Sequence, residues 1–187
     1  MSNVRKNILI ISDTHGDRVG VERLLGSYAQ KNDAVIFLGD GIRDFFEDGK
    51  CICPVPFYCV CGNCDTLGFS SAPLVIDGYG EIRHEEIINI GGMRILITHG
   101  HKYDVKSGLE RLARYAATVG ADIALYGHTH IKNEYYIPEG ESVCFEKLAK
   151  PLWLFNPGSL RGSYFNEPSF GTLTLSSDGV IFGHGAL

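Results

Sequence analysis

Short apolar runs alternate with segments of helical period through the first two-thirds of the chain. Asn7-Ile8-Leu9-Ile10-Ile11-Ser12 is almost continuously apolar at strand length, as in a central strand covered on both faces. Val21, Leu24, Leu25 and Tyr28 follow at i, i+3, i+4 and i+7, which predicts an amphipathic helix. Ala34-Val35-Ile36-Phe37-Leu38 then reads as a second buried strand, completing a βαβ unit with a right-handed crossover. Phe57-Tyr58-Cys59-Val60 is a short third strand, and residues 66–84, with Pro73, Gly78 and Gly80, read as loop plus a short strand rim. Glu86–Ile90 and Met93–Thr98 flank Gly91-Gly92 and predict a hairpin. Leu109, Leu112, Ala113 and Ala116 mark a second helix closed by Gly120, and Asp122–Tyr126 is a further strand.

Beyond residue 150 the helical period disappears. Trp153–Phe155, Gly171–Leu175 and Gly179–Phe182 read as strands, the last two joined by a turn at Ser177-Asp178-Gly179. The expectation is a second, mainly antiparallel sheet packed against the first. No repeat, linker or low-complexity segment interrupts the 187 residues, so one domain spanning residues 1–187 is expected.

Composition narrows the function classes. Hydrophobic residues at 44% and charged residues at 21% are ordinary for a soluble globular protein. A net charge of −5 with no Lys/Arg block gives nucleic acid no electrostatic footprint. No apolar run approaches the roughly 20 residues of a membrane span, and the start lacks the layout of a signal peptide, so the expected place is the cytoplasm. Five of the six cysteines fall between Cys51 and Cys64, with one C-x-x-C knuckle at Cys61 and Cys64. A zinc site normally needs a second knuckle, so reduced, mostly buried thiols are expected, a separate zinc or redox site being the alternative.

The chemistry sits where the strands end. Asp13-Thr14-His15, Gly39-Asp40, Gly62-Asn63-Cys64-Asp65, Thr98-His99-Gly100-His101 and Gly127-His128-Thr129-His130 each follow a strand-like run. Ligands in α/β sheets gather outside the carboxyl ends of the strands. Taken singly, Asp13 and Asp40 suit helix N-caps and the histidines suit core or rim positions. Taken together, the mixture of carboxylate, imidazole and amide suits Mn, Fe, Ni or Zn better than Ca or Mg alone. Seven donors exceed the need of one ion, whereas two ions about 3.5–4 Å apart sharing a carboxylate would use them all. His84 and His184 lie outside these clusters and read as surface or structural. Asp65 reads as a cap or as a residue that orients a neighbour.

The ordered set D-x-H, G-D, G-N-x-D, H-G-H and G-H-x-H resembles the calcineurin-like metallophosphoesterase superfamily. Compact length, Cys64 after Asn63, and Asn156-Pro157-Gly158-Ser159 resemble its small YfcE-type phosphodiesterase branch most. The resemblance implies a four-layer α/β (α+β) sandwich, with two mixed β-sheets face to face and helices outside. It implies that Asp13, His15 and His130 hold one metal, that Asn63, His99 and His128 hold the other, and that Asp40 bridges them. It gives catalytic roles to Asp40, Asn63 and His99, and places His101 beside the ligands or the substrate. The implied cofactor is two divalent ions, Mn²⁺ first, with Ni²⁺, Fe²⁺, Zn²⁺ or Mg²⁺ as alternatives. The implied reaction is hydrolysis of a small organic phosphate ester, most simply a diester, by a hydroxide that two metals activate. Many relatives carry a histidine where Cys64 stands, and a thiol is a poor general acid, which leaves His101 or water as donor to the leaving group. Ser159 and Arg161 are candidates for touching a substrate phosphate. Residues 161–167 and 131–152 run longer than in relatives, which puts specificity in question and allows a hairpin flap over the site. The competing readings are a non-catalytic scaffold, as in the retromer subunit of this fold, and a phosphomonoesterase with the same site. A homodimer or higher homo-oligomer is compatible with this branch.

Overall fold

The computed structural model describes residues 5–66 and 73–187. Ten strands build two five-stranded sheets: β1 (Lys6–Ile11), β2 (Ala34–Phe37), β3 (Phe57–Cys59), β4 (Glu85–Ile90), β5 (Met93–Thr98), β6 (Ile123–Leu125), β7 (Lys132–Ile137), β8 (Leu152–Pro157), β9 (Ser169–Ser176) and β10 (Gly179–Ala186). The first sheet has the order β10-β9-β1-β2-β3 and the second β7-β8-β6-β5-β4. In the first, β1, β2 and β3 are parallel, while β9 is antiparallel to β1 and β10 to β9. In the second, β5, β6 and β8 are parallel, with β4 and β7 antiparallel at the edges.

Alternation along each buried strand sets the layers. Ile8, Ile10 and Ile36 of the first sheet point at Ile95, Ile97, Ile123, Leu125 and Phe155 of the second, forming the central core. Leu9, Ile11, Val35 and Phe37 point the other way, onto Val21, Leu24 and Leu25 of helix α1 (Arg18–Tyr28). Leu96, Ala124 and Leu154 likewise back onto Leu112, Ala113 and Ala116 of helix α2 (Glu110–Thr118). The result is helix, sheet, sheet, helix, as the resemblance implied. The Asp17 carboxylate caps α1 by accepting from the Gly20 amide at 3.0 Å, and Gly120, at φ +67°, lies just past α2.

Two expectations need correction. The C-terminal strands form no sheet of their own. β8 pairs in parallel with β6 inside the second sheet, while β9 and β10 extend the first. β1 and β6 each needed a partner on the edge that β2 and β5 leave open, and strands from the end of the chain supply it. The 131–152 segment is also not a flap over the strand ends. It forms edge strand β7 and a small hairpin of Ser142–Val143 with Glu146–Lys147 that packs on α2, where the Cys144 thiol contacts the Glu110 carbonyl. The expected rim exists as Leu74–Ile76 paired with Gly80–Ile82, and residues 67–72 lie outside the described residues. Among the described residues, no helix is long and apolar enough to cross a membrane. All six thiols are free, and Cys51, Cys53, Cys59 and Cys61 belong to the packing around α1.

Candidate metal centre

Six parallel strands end on one rim, and each delivers part of the site. Asp13 and His15 follow β1, Asp40 follows β2, Asn63 and Cys64 follow β3, His99 follows β5, and His128 and His130 follow β6. Asn156 lies near the end of β8. Five of these residues occupy the left-handed region that non-glycine residues rarely enter: Asp13 (φ 55°), His15 (45°), Asp40 (61°), His128 (67°) and His130 (60°). Asp and His tolerate it better than most, but strained backbone still costs roughly 1–3 kcal/mol per residue. Fully buried aliphatic side chains such as Ile10, Ile36 and Leu125 contribute roughly 1.5–3 kcal/mol each, so the core beneath the rim can hold it.

The donor atoms converge in two groups. Around Asp13 Oδ1 stand the Nε2 atoms of His130 at 3.0 Å and His15 at 3.6 Å, and these two nitrogens lie 3.2 Å apart. Around Asp40 Oδ2 stands His99 Nε2 at 3.2 Å, itself 3.2 Å from His128 Nδ1. Each trio, Asp13/His15/His130 and Asp40/His99/His128, fits within 4.8 Å, and a third grouping joins His15 and Asp40 with the Cys64 thiol. His15 Nε2 lies 3.9 Å from Asp40 Oδ2 and so links the two trios.

These spacings fit metal donors. Two nitrogen or oxygen atoms bound to one ion at about 2.0–2.2 Å stand about 3.0–3.5 Å apart. Asp13 Oδ1 is also fully buried and accepts no well-directed hydrogen bond, although three imidazoles surround it. A buried carboxylate oxygen without a hydrogen bond is costly unless a cation completes it. Asn63 Oδ1 and His101 Nδ1 are likewise buried and without a hydrogen-bond partner among the described residues. Asn63 and His101 fall outside the two trios. The Asn63 amide donates to the Cys64 thiol at 3.2 Å, and the His101 ring packs 5.5 Å from that of His99 and 6.1 Å from that of His128.

Electrostatics agree with the geometry. Burial pushes the Asp13 carboxyl up, but the imidazoles of His130, His15 and His99 outweigh it and hold Asp13 far below the usual carboxylate range. Burial opposes ionisation of Asp40 too, yet His99 and the Cys64 amide bring its pKa down to about 2. Asp13 raises His15, and Asp40 and Asp13 raise His99 against its burial. Burial and the neighbouring His99 bring His101 and His128 down to about 4.

Surrounding groups orient these candidate donors, as they do in metal sites generally. His99 Nδ1–H donates to the Leu38 carbonyl at 2.8 Å, which turns Nε2 toward Asp40. Asp13 Oδ2 accepts from the Ser12 hydroxyl at 2.6 Å and the His128 amide at 3.1 Å. Asp65 accepts from four backbone amides, those of Asp40, Gly41, Ile42 and Gly62, at 2.7–2.9 Å, and so ties the β2 and β3 ends together. Sequence reasoning missed two supports. The Asn156 amide donates to the Gly127 carbonyl and Thr129 hydroxyl, fixing the loop of His128 and His130. Asp44 accepts from the Thr14 hydroxyl and Gly16 amide. Asn156 carried the same signal as the ligands, a polar residue at the end of an apolar run, whereas Asp44 carried none. Ser159 uses its buried hydroxyl on the Asp13 carbonyl, while Arg161 donates to the His15 carbonyl from an exposed position. His84 is buried beside Cys61 with its ring 5.5 Å from that of His101, and His184 donates to the Asn156 carbonyl.

Gly62 shows how closely the rim is packed. A Cβ there would stand 2.1 Å from Asp40 Oδ1 and 2.6 Å from the Asp40 amide nitrogen. Gly62→Ala is therefore expected to displace Asp40, lowering Mn²⁺ affinity by about 10-fold or more and stability by about 1–3 kcal/mol. Titration calorimetry checks this, and unchanged affinity would show that the packing does not position the carboxylate.

Comparison with known proteins agrees. The model of the calcineurin-like phosphoesterase superfamily domain matches residues 7–178. YsnB of Bacillus subtilis (strain 168), a probable metallophosphoesterase, is 31% identical over 173 residues, covering 92% of this chain and 86% of that protein. The fold is shared by a novel archaeal phosphodiesterase, with TM-score 0.64, 22% identity and coverage of 97% and 99% of the two chains. It is shared too by Vacuolar Protein Sorting 29 from Cryptosporidium parvum, with TM-score 0.63, 19% identity and coverage of 98% and 99%. At such identities these two likenesses speak for the fold alone. The extent of the domain match and the identity to YsnB establish more: this chain belongs to the metal-dependent calcineurin-like phosphoesterase superfamily.

Proposed function

We propose that the protein is a phosphodiesterase that hydrolyses a small organic phosphate ester with two divalent ions, Mn²⁺ foremost. The observation that carries this reading is the pair of donor trios linked by His15 and Asp40. In this reading Asp13, His15 and His130 hold one ion, His99, His128 and Asn63 hold the other, and Asp40 serves both. Bound there, such ions activate water and offset charge on the phosphoryl oxygens.

The chain's own groups do the rest. Asp13 and Asp40 stay ionised and supply negative charge to the centre. His99, with its Nδ1 proton committed to the Leu38 carbonyl, keeps Nε2 directed inward. Asn63 lies on the rim with an amide able to donate to a developing phosphoryl charge. His101, half-buried against the rings of His84, His99 and His128, stays neutral near pH 7 and so has one ring nitrogen to donate and one to accept. A small substrate agrees with the acidic net charge of −5, which repels a long polyanion.

The test is hydrolysis of bis-p-nitrophenyl phosphate by chelator-stripped protein before and after addition of Mn²⁺. Activity that appears only with metal supports the reading. Stoichiometric binding of Mn²⁺ without turnover of this ester or of p-nitrophenyl phosphate favours a scaffold. Turnover of the monoester alone makes the protein a phosphomonoesterase.

A further inference from the structure

Residues 161–168 form a compact stub beside the metal centre. Its base is bolted to the β1 end: the Leu160 amide donates to the Ser12 carbonyl at 3.0 Å, and Arg161 Nη1 donates to the His15 carbonyl at 2.7 Å. Its far end closes through the Ser169 amide on the Ser159 carbonyl at 2.9 Å. Between them Ser163 and Asn166 exchange backbone hydrogen bonds at 2.7 and 3.3 Å, making a tight turn. The tip of that turn is Tyr164-Phe165, with side chains 96% and 89% exposed and rings packed edge to face at 5.1 Å.

An exposed aromatic pair on a braced turn has no role in the core. Three chain steps separate Tyr164 from Arg161, so its Cα stands within about 11 Å of the residue that touches the His15 loop. Arg161, Tyr164, Phe165, Asn166 and Glu167 also line one open cleft of about 430 Å³. A guanidinium, two rings and an amide thus belong to residues that border one cleft, and Arg161 ties that cleft to the His15 loop. Glu167 offsets the charge of Arg161 in that cleft, so phosphate attraction alone cannot dominate it. Ring stacking, which accepts any planar base, is the stronger contribution.

We propose that the 161–168 stub is a recognition lip that selects phosphodiesters bearing a planar heteroaromatic group, of the nucleoside class. The proposal rests on the phosphodiesterase reading above and adds the substrate class. Tyr164 and Phe165 hold the base, and Arg161 faces the ester's single negative charge.

The test compares two esters with the same leaving group, thymidine 5′-(p-nitrophenyl phosphate) and methyl p-nitrophenyl phosphate, on the Mn²⁺-loaded enzyme. The wild type is expected to prefer the nucleoside ester by about 10-fold in kcat/KM, carried by KM, as loss of a stacked base typically costs. In the Tyr164→Ala/Phe165→Ala variant that preference collapses toward unity. A wild type without preference, or a preference that survives in the variant, overturns the proposal. If neither ester is hydrolysed, the phosphodiesterase reading fails separately. The lip is then judged by calorimetric binding of thymidine 5′-phosphate to metal-free protein. Binding at least about 5-fold weaker in the variant sustains it, and equal affinity overturns it. Should the double variant fold poorly, Tyr164→Ser and Phe165→Ser singly carry the same comparisons.

Discussion

Asp40→Asn is expected to abolish metal-dependent ester hydrolysis, with a loss of at least about 10³-fold in kcat/KM, or about 4 kcal/mol of transition-state stabilisation. The substitution is close to isosteric, and Asn tolerates the left-handed backbone at φ 61° nearly as well as Asp does. Backbone geometry is therefore retained and only the charge and one acceptor are lost. Asp40 Oδ1 accepts the Cys64 amide at 2.7 Å, while Oδ2 faces His99 Nε2 at 3.2 Å. An asparagine can satisfy the Cys64 amide only by turning its NH₂ toward the histidines, where a metal would lie. Flipped the other way, it sets NH₂ against the Cys64 N–H. Either orientation removes the second donor oxygen. Groups that merely orient a ligand cost 10- to 100-fold when removed, so loss of the shared carboxylate must cost more. Calorimetry should show fewer than two Mn²⁺ ions bound tightly. Metal-free Asp40→Asn should unfold earlier than wild type near pH 7, because a pKa lowered to about 2 means that the fold favours the ionised carboxylate, and Asn forgoes that contribution. Near-normal turnover with normal metal content would remove Asp40 from the centre.

The candidate donor positions were legible because parallel sheets write a simple code. A buried strand is a short apolar run, and ligands collect where it stops. Ile8–Ile11, Ala34–Phe37 and Ile123–Leu125 are each buried throughout, and Asp13, Asp40 and His128 follow them within three residues. Sheet membership was not legible. β8, β9 and β10 look alike in sequence, and which sheet each joins depends on long-range pairing such as Ile8 with Leu173 or Ala124 with Leu154. β7, Lys132–Ile137, escaped because an exposed edge strand carrying Lys, Glu and two Tyr shows no apolar face. The supports Asp44 and Asn156 depend on partners 28–30 and 27–29 residues away, which spacing in sequence does not show. The left-handed backbone at five site residues was equally hidden, because Asp and His advertise it far less than Gly would. At Gly62 and Gly127 the glycine was visible but its reason was not: a Cβ would strike Asp40 in one case and the Ser12 hydroxyl, 2.0 Å away, in the other.

Metal should also stabilise the fold, strongly and with a definite dependence on pH. At Mn²⁺ concentrations near 1,000 times Kd, linkage gives about 4 kcal/mol, a rise of roughly 8–16 °C in Tm for a chain of this size. In the metal-free protein, protons partly substitute for the ions. His15 and His99 have folded pKa values raised by Asp13 and Asp40, so the stability they contribute is full below the ordinary histidine value of 6.5. That contribution is lost as pH climbs through the raised values, leaving two buried carboxylates poorly compensated. His101 and His128 have the opposite sign. Their folded pKa values of about 4 favour neutral rings, a contribution present above 6.5 and lost as pH falls toward 4. Metal binding needs all these imidazoles unprotonated, so acid works against the loaded form through both sets. The gap in Tm between Mn²⁺-loaded and metal-free protein is therefore expected to be widest near pH 8 and to close toward pH 5, with protons released on binding at pH 6.5. Scanning calorimetry across that range, with titrations in buffers of different ionisation enthalpy, measures both. A gap that widens with acid, or binding at pH 6.5 without proton release, would mean that the ions do not displace protons from His15 and His99.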